Sequence, residues 1–164
     1  MYPTYAIATG VSAFNARKVA VSACLLGEFC RYDGQSKNDA AVMNAFKNDE
    51  IIPFCPEVPV LGTPRERICV IEKGDQRRVI GEESGEDFTQ AILAQVDLLV
   101  QNHPDLDIIV LKSKSPSCGL GTTPIYDENQ KAIGFGDGIA AQRLKEIYPN
   151  IVITDELNLK EIEC

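Results

Sequence analysis

The chain has 164 residues, 45% of them hydrophobic and 24% charged, and carries a formal net charge of −8. That length buries a core without covalent staples, and the composition is that of an ordinary globular protein. The acidic balance argues against a general nucleic-acid-binding surface, which needs positive charge, and no apolar run approaches the ~20 residues of a membrane-spanning helix.

Residues 1–17 hold small and aromatic residues but neither a basic start nor a continuous apolar stretch, so they read as a short N-terminal extension, not a secretory signal. Residues 18–24 (KVAVSAC) form an apolar run of β-branched and small residues, the mark of a buried strand. A glycine-containing polar loop follows to Ser36. Residues 37–48 place Ala40, Met43 and Phe46 at helical spacing. A second apolar run, residues 50–55 (EIIPFC), ends at Pro56; Pro53 within it suits a central strand poorly.

Residues 58–64 are punctuated by Pro59, Gly62 and Pro64 and read as loop. Residues 68–72 and 77–80, around Lys73-Gly74-Asp75-Gln76, read as a β-hairpin. Phe88, Ile92, Val96 and Leu99 recur at helical spacing and define an amphipathic helix over 87–102, closed by His103-Pro104. Residues 107–111 form a third buried strand. Residues 124–126 and 131–133 suggest a second hairpin or a loose turn. Asp137 is placed to cap a helix over 138–148, and a last strand spans 151–154. Strands alternating with helices predict an α/β protein: a Rossmann-like, mostly parallel sheet with flanking helices and one or two small β-hairpins. Residues 18–164 are expected to be a single domain after the 1–17 extension.

The cysteines carry the chemistry. Six are present, but the chain's size and the missing export signal favour free or metal-bound thiols in a reducing, cytoplasmic compartment over disulfides. Cys24, Cys55 and Cys118 each stand at or just past the end of an apolar strand, and parallel strands bring such ends to one edge, where α/β proteins bind ligands. Three convergent thiolates can hold a soft metal centre and leave one position open. The spacing does not choose among an iron–sulfur cluster, zinc and a redox thiol cluster, because no tight C-x-x-C pair is present.

Glu57, two residues past Cys55, can face the same pocket as a general base. Ser115 and Ser117 can relay protons, orient substrate or cap their own turn. Lys112, Lys114, Arg31 and Arg65 add positive charge near the thiols. Cys30, Cys69 and Cys164 lack the strand-end context and are set aside as ligands. His103, the only histidine, reads as a surface or capping residue. Gly134-Phe135-Gly136-Asp137-Gly138 resembles an anion-binding turn, although Asp137 would repel phosphate.

Three segments in order, Ser22-Ala23-Cys24-Leu25-Leu26-Gly27 with Arg31-Tyr32-Asp33-Gly34, Phe54-Cys55-Pro56-Glu57 with Thr63-Pro64-Arg65, and Lys114-Ser115-Pro116-Ser117-Cys118-Gly119, resemble the thiouracil desulfidase family from about Lys18 to Glu156. The resemblance implies a [4Fe–4S] cluster held by Cys24, Cys55 and Cys118. It also implies Glu57 as the residue that activates water, with Ser115 or Ser117 assisting proton transfer and Ser115 preferred, and it sets Ser22, Lys112 and Ser117 against the substrate. The implied reaction is a non-redox desulfuration of a thiolated pyrimidine, as base, nucleoside or nucleotide, to its oxo form with release of sulfide. The alternative is a non-catalytic iron–sulfur or zinc-binding module. The implied partner is a small thiopyrimidine, with neither membrane nor intact nucleic acid. The chain departs from the family at residues 58–62 (VPVLG), where a double glycine and a proline-rich run are usual, and at Cys30, where an aliphatic residue is usual.

Overall fold

The computed structural model describes residues 16–162, so most of the N-terminal extension, and Cys164, lie outside the described residues. In chain order the strands are β1 (Lys18–Ser22), β2 (Glu50–Phe54), β3 (Ile68–Lys73), β4 (Gln76–Gly81), β5 (Ile108–Leu111), β6 (Thr123–Tyr126), β7 (Ala132–Gly136) and β8 (Val152–Asp155). The helices are α1 (Ala40–Ala45), the single turn α2 (Val58–Leu61), α3 (Thr89–Asn102) and α4 (Ile139–Ile147).

The apolar runs become a four-stranded, wholly parallel sheet in the order β2-β1-β5-β8. Side chains alternate across a strand, and here both faces are covered, which is why the runs are continuous instead of alternating with polar residues. Val19, Val21, Ile108 and Val110 pack with Val42, Phe46 and Leu25 on one face. Ala20, Ile52, Ile109 and Leu111 meet Ile92, Val96 and Leu99 of α3 and Ala140, Ala141 and Leu144 of α4 on the other. Pro53 is accommodated because β2 is an edge strand with one neighbour, β1.

The hairpins are not appendages to this sheet. β3 pairs antiparallel with β4 and β6 with β7, and β3 joins β6 in parallel through Val70 and Ile125. A second four-stranded sheet, β4-β3-β6-β7, results. The expectation of one mostly parallel sheet is thus replaced by a parallel sheet and a mixed one. Their shared core contains Val70, Val79 and Ile125 beside Ile109 and Leu111. The β3–β6 pairing links residues 55 positions apart, Val70 with Ile125, and left no local trace in the pattern of residues.

Smaller departures have local causes. The helix expected over 37–48 is confined to α1, because the Asp39 side chain accepts from the Val42 amide (3.1 Å) and so starts it late. Residues 58–61, expected as loop, make the turn α2, in which Pro59 stands where a helix needs no amide donor. Asp137 does not cap α4; Gly138 does, without a side-chain bond, while Asp137 accepts from the Gly121 amide and pairs with Lys145. The glycines expected as an anion-binding turn lie largely in β7. The first-turn amides of α4, from Ala140 and Ala141, donate to the Ser117 carbonyl. No helix among the described residues is long and apolar enough to cross a membrane.

That last contact docks α4 directly on the 113–119 loop, and it needs Gly138. A Cβ there would overlap the Ser117 carbonyl group and the Cys118 amide nitrogen. Gly138→Ala is expected to cost about 1–3 kcal/mol of stability through this overpacking, measured as a lower midpoint in chemical denaturation with an unchanged slope.

Candidate active site

In the order β2-β1-β5-β8, the chain leaves β1 toward one edge and returns at β5 on the other side, so the crevice beyond β1 and β5 is the place where such sheets bind ligands. A cleft of about 1010 Å³ opens there, lined among others by Cys24, Cys55, Glu57, Lys112, Ser115 and Cys118. Cys24 lies in one turn of 3-10 helix (Ala23–Leu26) that Gly27 closes in a left-handed conformation, its amide reaching the Cys24 carbonyl. Cys55 directly follows β2, and Cys118 follows β5 within the loop docked on α4.

The three thiols differ in environment. A hydrogen bond from Cys30 lowers the Cys55 thiol to about 7 against the cost of burial, helped by the Val58 and Glu57 amides at the start of α2. Cys24 is lowered as well, by Cys30 first and then by the charges of Lys112 and Arg31. Cys118 is pushed well up, by burial and then by the negative charge of Glu57, Cys55 and Cys24. Cys30, set aside from the sequence, therefore sits among the thiols: its own pKa is raised because it keeps its proton between Cys24 and Cys55. The one available signal was its place six residues after Cys24, in the same loop.

Glu57 is buried, at 8% exposure, and fully engaged. Arg65 donates to its Oε1 from Nη2 (3.0 Å) and Nε (3.3 Å), and Ser117 Oγ donates to Oε2 (2.8 Å). Ser115 Oγ stands 3.5 Å from the same Oε2 and accepts from the Ser117 and Cys118 amides. The two serines are thereby told apart. Ser115 borders the cleft, whereas Ser117 is fully buried and bonded to Glu57.

Ser22 and Lys112 also border the cleft, each with a structural partner. Ser22 Oγ accepts from the Lys112 amide (2.9 Å) and hydrogen-bonds the Cys118 thiol. Lys112 Nζ pairs with Glu156 Oε2 (2.9 Å), and Glu156 also accepts from the amide and hydroxyl of Ser113 (2.7 and 2.9 Å). Burial opposes ionisation of Glu156, yet these bonds prevail and hold its carboxyl below the usual range. Sequence reading missed Glu156, because only the parallel β5–β8 pairing brings it to the loop after Leu111. Arg31 and Lys114 line the cleft as well. Cys69 lies on its wall, bonded through its thiol to the Ile80 carbonyl (3.7 Å). His103 does not line this cleft: its amide closes α3 on the Leu99 carbonyl, and its own carbonyl accepts from Tyr148.

Among the described residues, no three His, Cys, Asp or Glu side chains are arranged to hold a single metal ion. The donors at the cleft are sulfur, they come from three separate strand ends, and their charges repel one another. A soft, positively charged centre relieves that repulsion, so the donor set fits an iron–sulfur group better than a hard cation.

The site is thus a thiol-lined cleft with a buried carboxylate at the switch point of a parallel sheet in an α/β protein. Residues 19–156 match the model of the 2-thiouracil desulfurase family, and the chain belongs to that family of enzymes. It is 32% identical to a [4Fe–4S]-dependent thiouracil desulfidase, TudS, of known structure, with a TM-score of 0.66 over 89% of this chain and 95% of that one. It is 30% identical over 150 residues to the uncharacterized protein YbbK of Bacillus subtilis (strain 168), covering 85% of this chain and 97% of the relative.

Two outcomes follow from this geometry. Arg65→Met leaves Glu57 buried without its counter-charge and is expected to cost roughly 3–5 kcal/mol in denaturant unfolding. In the metal-free chain, alkylation of Cys55 is expected to be half-maximal near pH 7, following its thiolate, while Cys118 stays unmodified at that pH; peptide mass analysis separates the two.

Proposed function

We propose that the protein desulfurates a thiolated pyrimidine, as free base, nucleoside or nucleotide, by adding water and releasing sulfide. The observation that carries this reading is the convergence of Cys24, Cys55 and Cys118 on one cleft beside the clamped carboxylate of Glu57. The three cysteines would hold a [4Fe–4S] cluster, which supplies a thiophilic Lewis-acidic iron toward the substrate's sulfur.

The side chains divide the remaining work. Arg65 occupies Oε1 of Glu57, which leaves Oε2, faced by both serines, as the oxygen that takes a proton. Glu57 removes a proton from the water that adds to the thiocarbonyl carbon. Ser117 holds the carboxylate in place, and Ser115, at the edge of the cleft, passes a proton between carboxylate and substrate. The C–O bond forms, the C–S bond breaks, and sulfur departs with both electrons of that bond. Thiocarbonyl and water become carbonyl and hydrogen sulfide, so no electron donor is needed. Lys112, oriented by Glu156, and Arg31 offset the charge of the thiolates. The volume of the cleft exceeds that of one pyrimidine ring and suits a cofactor together with a substrate.

Anaerobic reconstitution with iron and sulfide, followed by measurement of sulfide release from 2- and 4-thiouracil and their nucleotides, tests the proposal. Cys118→Ala is expected to lose iron and activity together. Glu57→Gln is expected to keep iron while kcat falls about 10²–10⁴-fold, the range of general-base loss. Ser117→Ala is expected to lower kcat about ten- to a hundredfold, the worth of one hydrogen bond to a charged group. A chain that takes up no iron would sink the reading, and an iron-loaded chain inert to every thiopyrimidine would leave the non-catalytic module.

A further inference from the structure

Cys30 is a thiol that the proposed reaction does not use, yet the fold holds it firmly. Its backbone carbonyl accepts from Arg65 Nη1 (2.8 Å) and lies 4.0 Å from the Cys55 sulfur. Its neighbours are fastened too: the Arg31 carbonyl accepts from Thr63 Oγ1 (2.7 Å), and the Tyr32 carbonyl accepts from the Arg65 amide (2.8 Å). The residues after Glu57 thereby stitch down the loop that carries Cys30. Its side chain neighbours those of Cys24 and Cys55, and all three border the large cleft.

Access distinguishes the possible partners. Cys30 and Cys55 border the large cleft and also a second groove of about 440 Å³ on the side of β2 and α3, so small solutes reach them from two sides. Cys24 and Cys118 border the large cleft only and are buried. In an iron-free chain, Cys55 is thus the ligand thiol most open to a peroxide, and a second thiol stands beside it.

We propose that Cys30 is a resolving thiol, which closes a reversible disulfide with Cys55 when iron is absent and so spares this ligand from irreversible oxidation. The oxidant is a hydroperoxide such as hydrogen peroxide. The Cys55 thiolate attacks one peroxide oxygen, the O–O bond breaks, and a sulfenic acid and hydroxide form, the hydroxide taking a proton from solvent to become water. The Cys30 sulfur then attacks the sulfenic sulfur, the S–O bond breaks, and a second water leaves. Two thiols have lost two electrons, and the peroxide has gained them. Without a neighbouring thiol, a sulfenic acid proceeds to sulfinic and sulfonic acids, which thiol reductants do not reverse. The inference uses the ligand assignment above only for its consequence, since the bridge is a property of the iron-free chain and forms or fails whether or not the enzyme desulfurates thiouracil.

The test starts from the full-length, iron-loaded protein. Hydrogen peroxide is added until the iron is released, and half of each sample is mapped by mass spectrometry under non-reducing conditions. The other half is reduced with dithiothreitol and reloaded with iron and sulfide. The wild type is expected to show a Cys30–Cys55 bridge and to regain its starting iron content. Cys30→Ala and Cys30→Ser, whose iron content before oxidation reports that they fold, are expected to show sulfinic or sulfonic acid at Cys55. They should reload at least about threefold less iron, because this oxidation is irreversible. Absence of the bridge, a Cys24–Cys30 bridge in its place, or equal reloading by the variants would overturn the proposal.

Discussion

The buried ion pair of Glu57 and Arg65 is the interaction on which the rest of the cleft depends. Taking two charges out of water costs several kcal/mol per ion, and Coulomb attraction alone rarely offsets it. Here the remaining donors and acceptors are also used: Arg65 reaches the Cys30 and Gly62 carbonyls through Nη1, and Ser117 occupies the second carboxylate oxygen. The pair therefore ties together the loops that follow β1, β2 and β5. Each of those loops carries one of the proposed iron ligands, so the bonds that make the ion pair tolerable also set the spacing of the thiols.

The cleft accepts unfavourable electrostatics in return for function. Three thiols and a carboxylate face one space in a chain whose net charge is already −8. Cys118 shows the cost most clearly, its ionisation opposed by burial and by every negative neighbour. Repulsion held in place by a rigid scaffold becomes affinity once a soft cation enters, because binding removes it. Lys112 and Arg31 moderate the repulsion without cancelling it.

The second sheet contributes more than core. β6 begins shortly after the loop that carries Cys118, and Thr123 Oγ1 donates to the Ser115 carbonyl (2.6 Å). The Lys114 amide donates to Thr122 Oγ1 (2.8 Å) while Lys114 itself adopts a left-handed conformation (φ 64°) that few residues favour. With α4 docked on the Ser117 carbonyl from the other side, the loop from Ser113 to Gly119 is gripped at both ends. A loop held so firmly can present a buried sulfur and two serine hydroxyls in fixed positions, as preorganised catalysis requires.

Much of this was legible in the residues. The continuous apolar runs at 18–24, 50–55 and 107–111 announced buried parallel strands, because only a sheet covered on both faces lacks alternation. The helical spacing from Phe88 to Leu99 announced α3, and the cysteines at three strand ends, with Glu57 beside one of them, announced a common edge. The motifs around them pointed to the family to which the chain belongs. Three features were not legible: the joining of two hairpins into a second sheet, the arrival of Glu156 beside Lys112, and the place of Cys30 among the other thiols. The division has one physical cause. Periodicity and strand ends are written by neighbours along the chain, so sequence alone determined the strands, the long helix and the thiols available at the edge. Which serine backs Glu57 and which thiol stands beside Cys55 depend on contacts between residues 25 to 60 positions apart, and those only the packed tertiary structure decides.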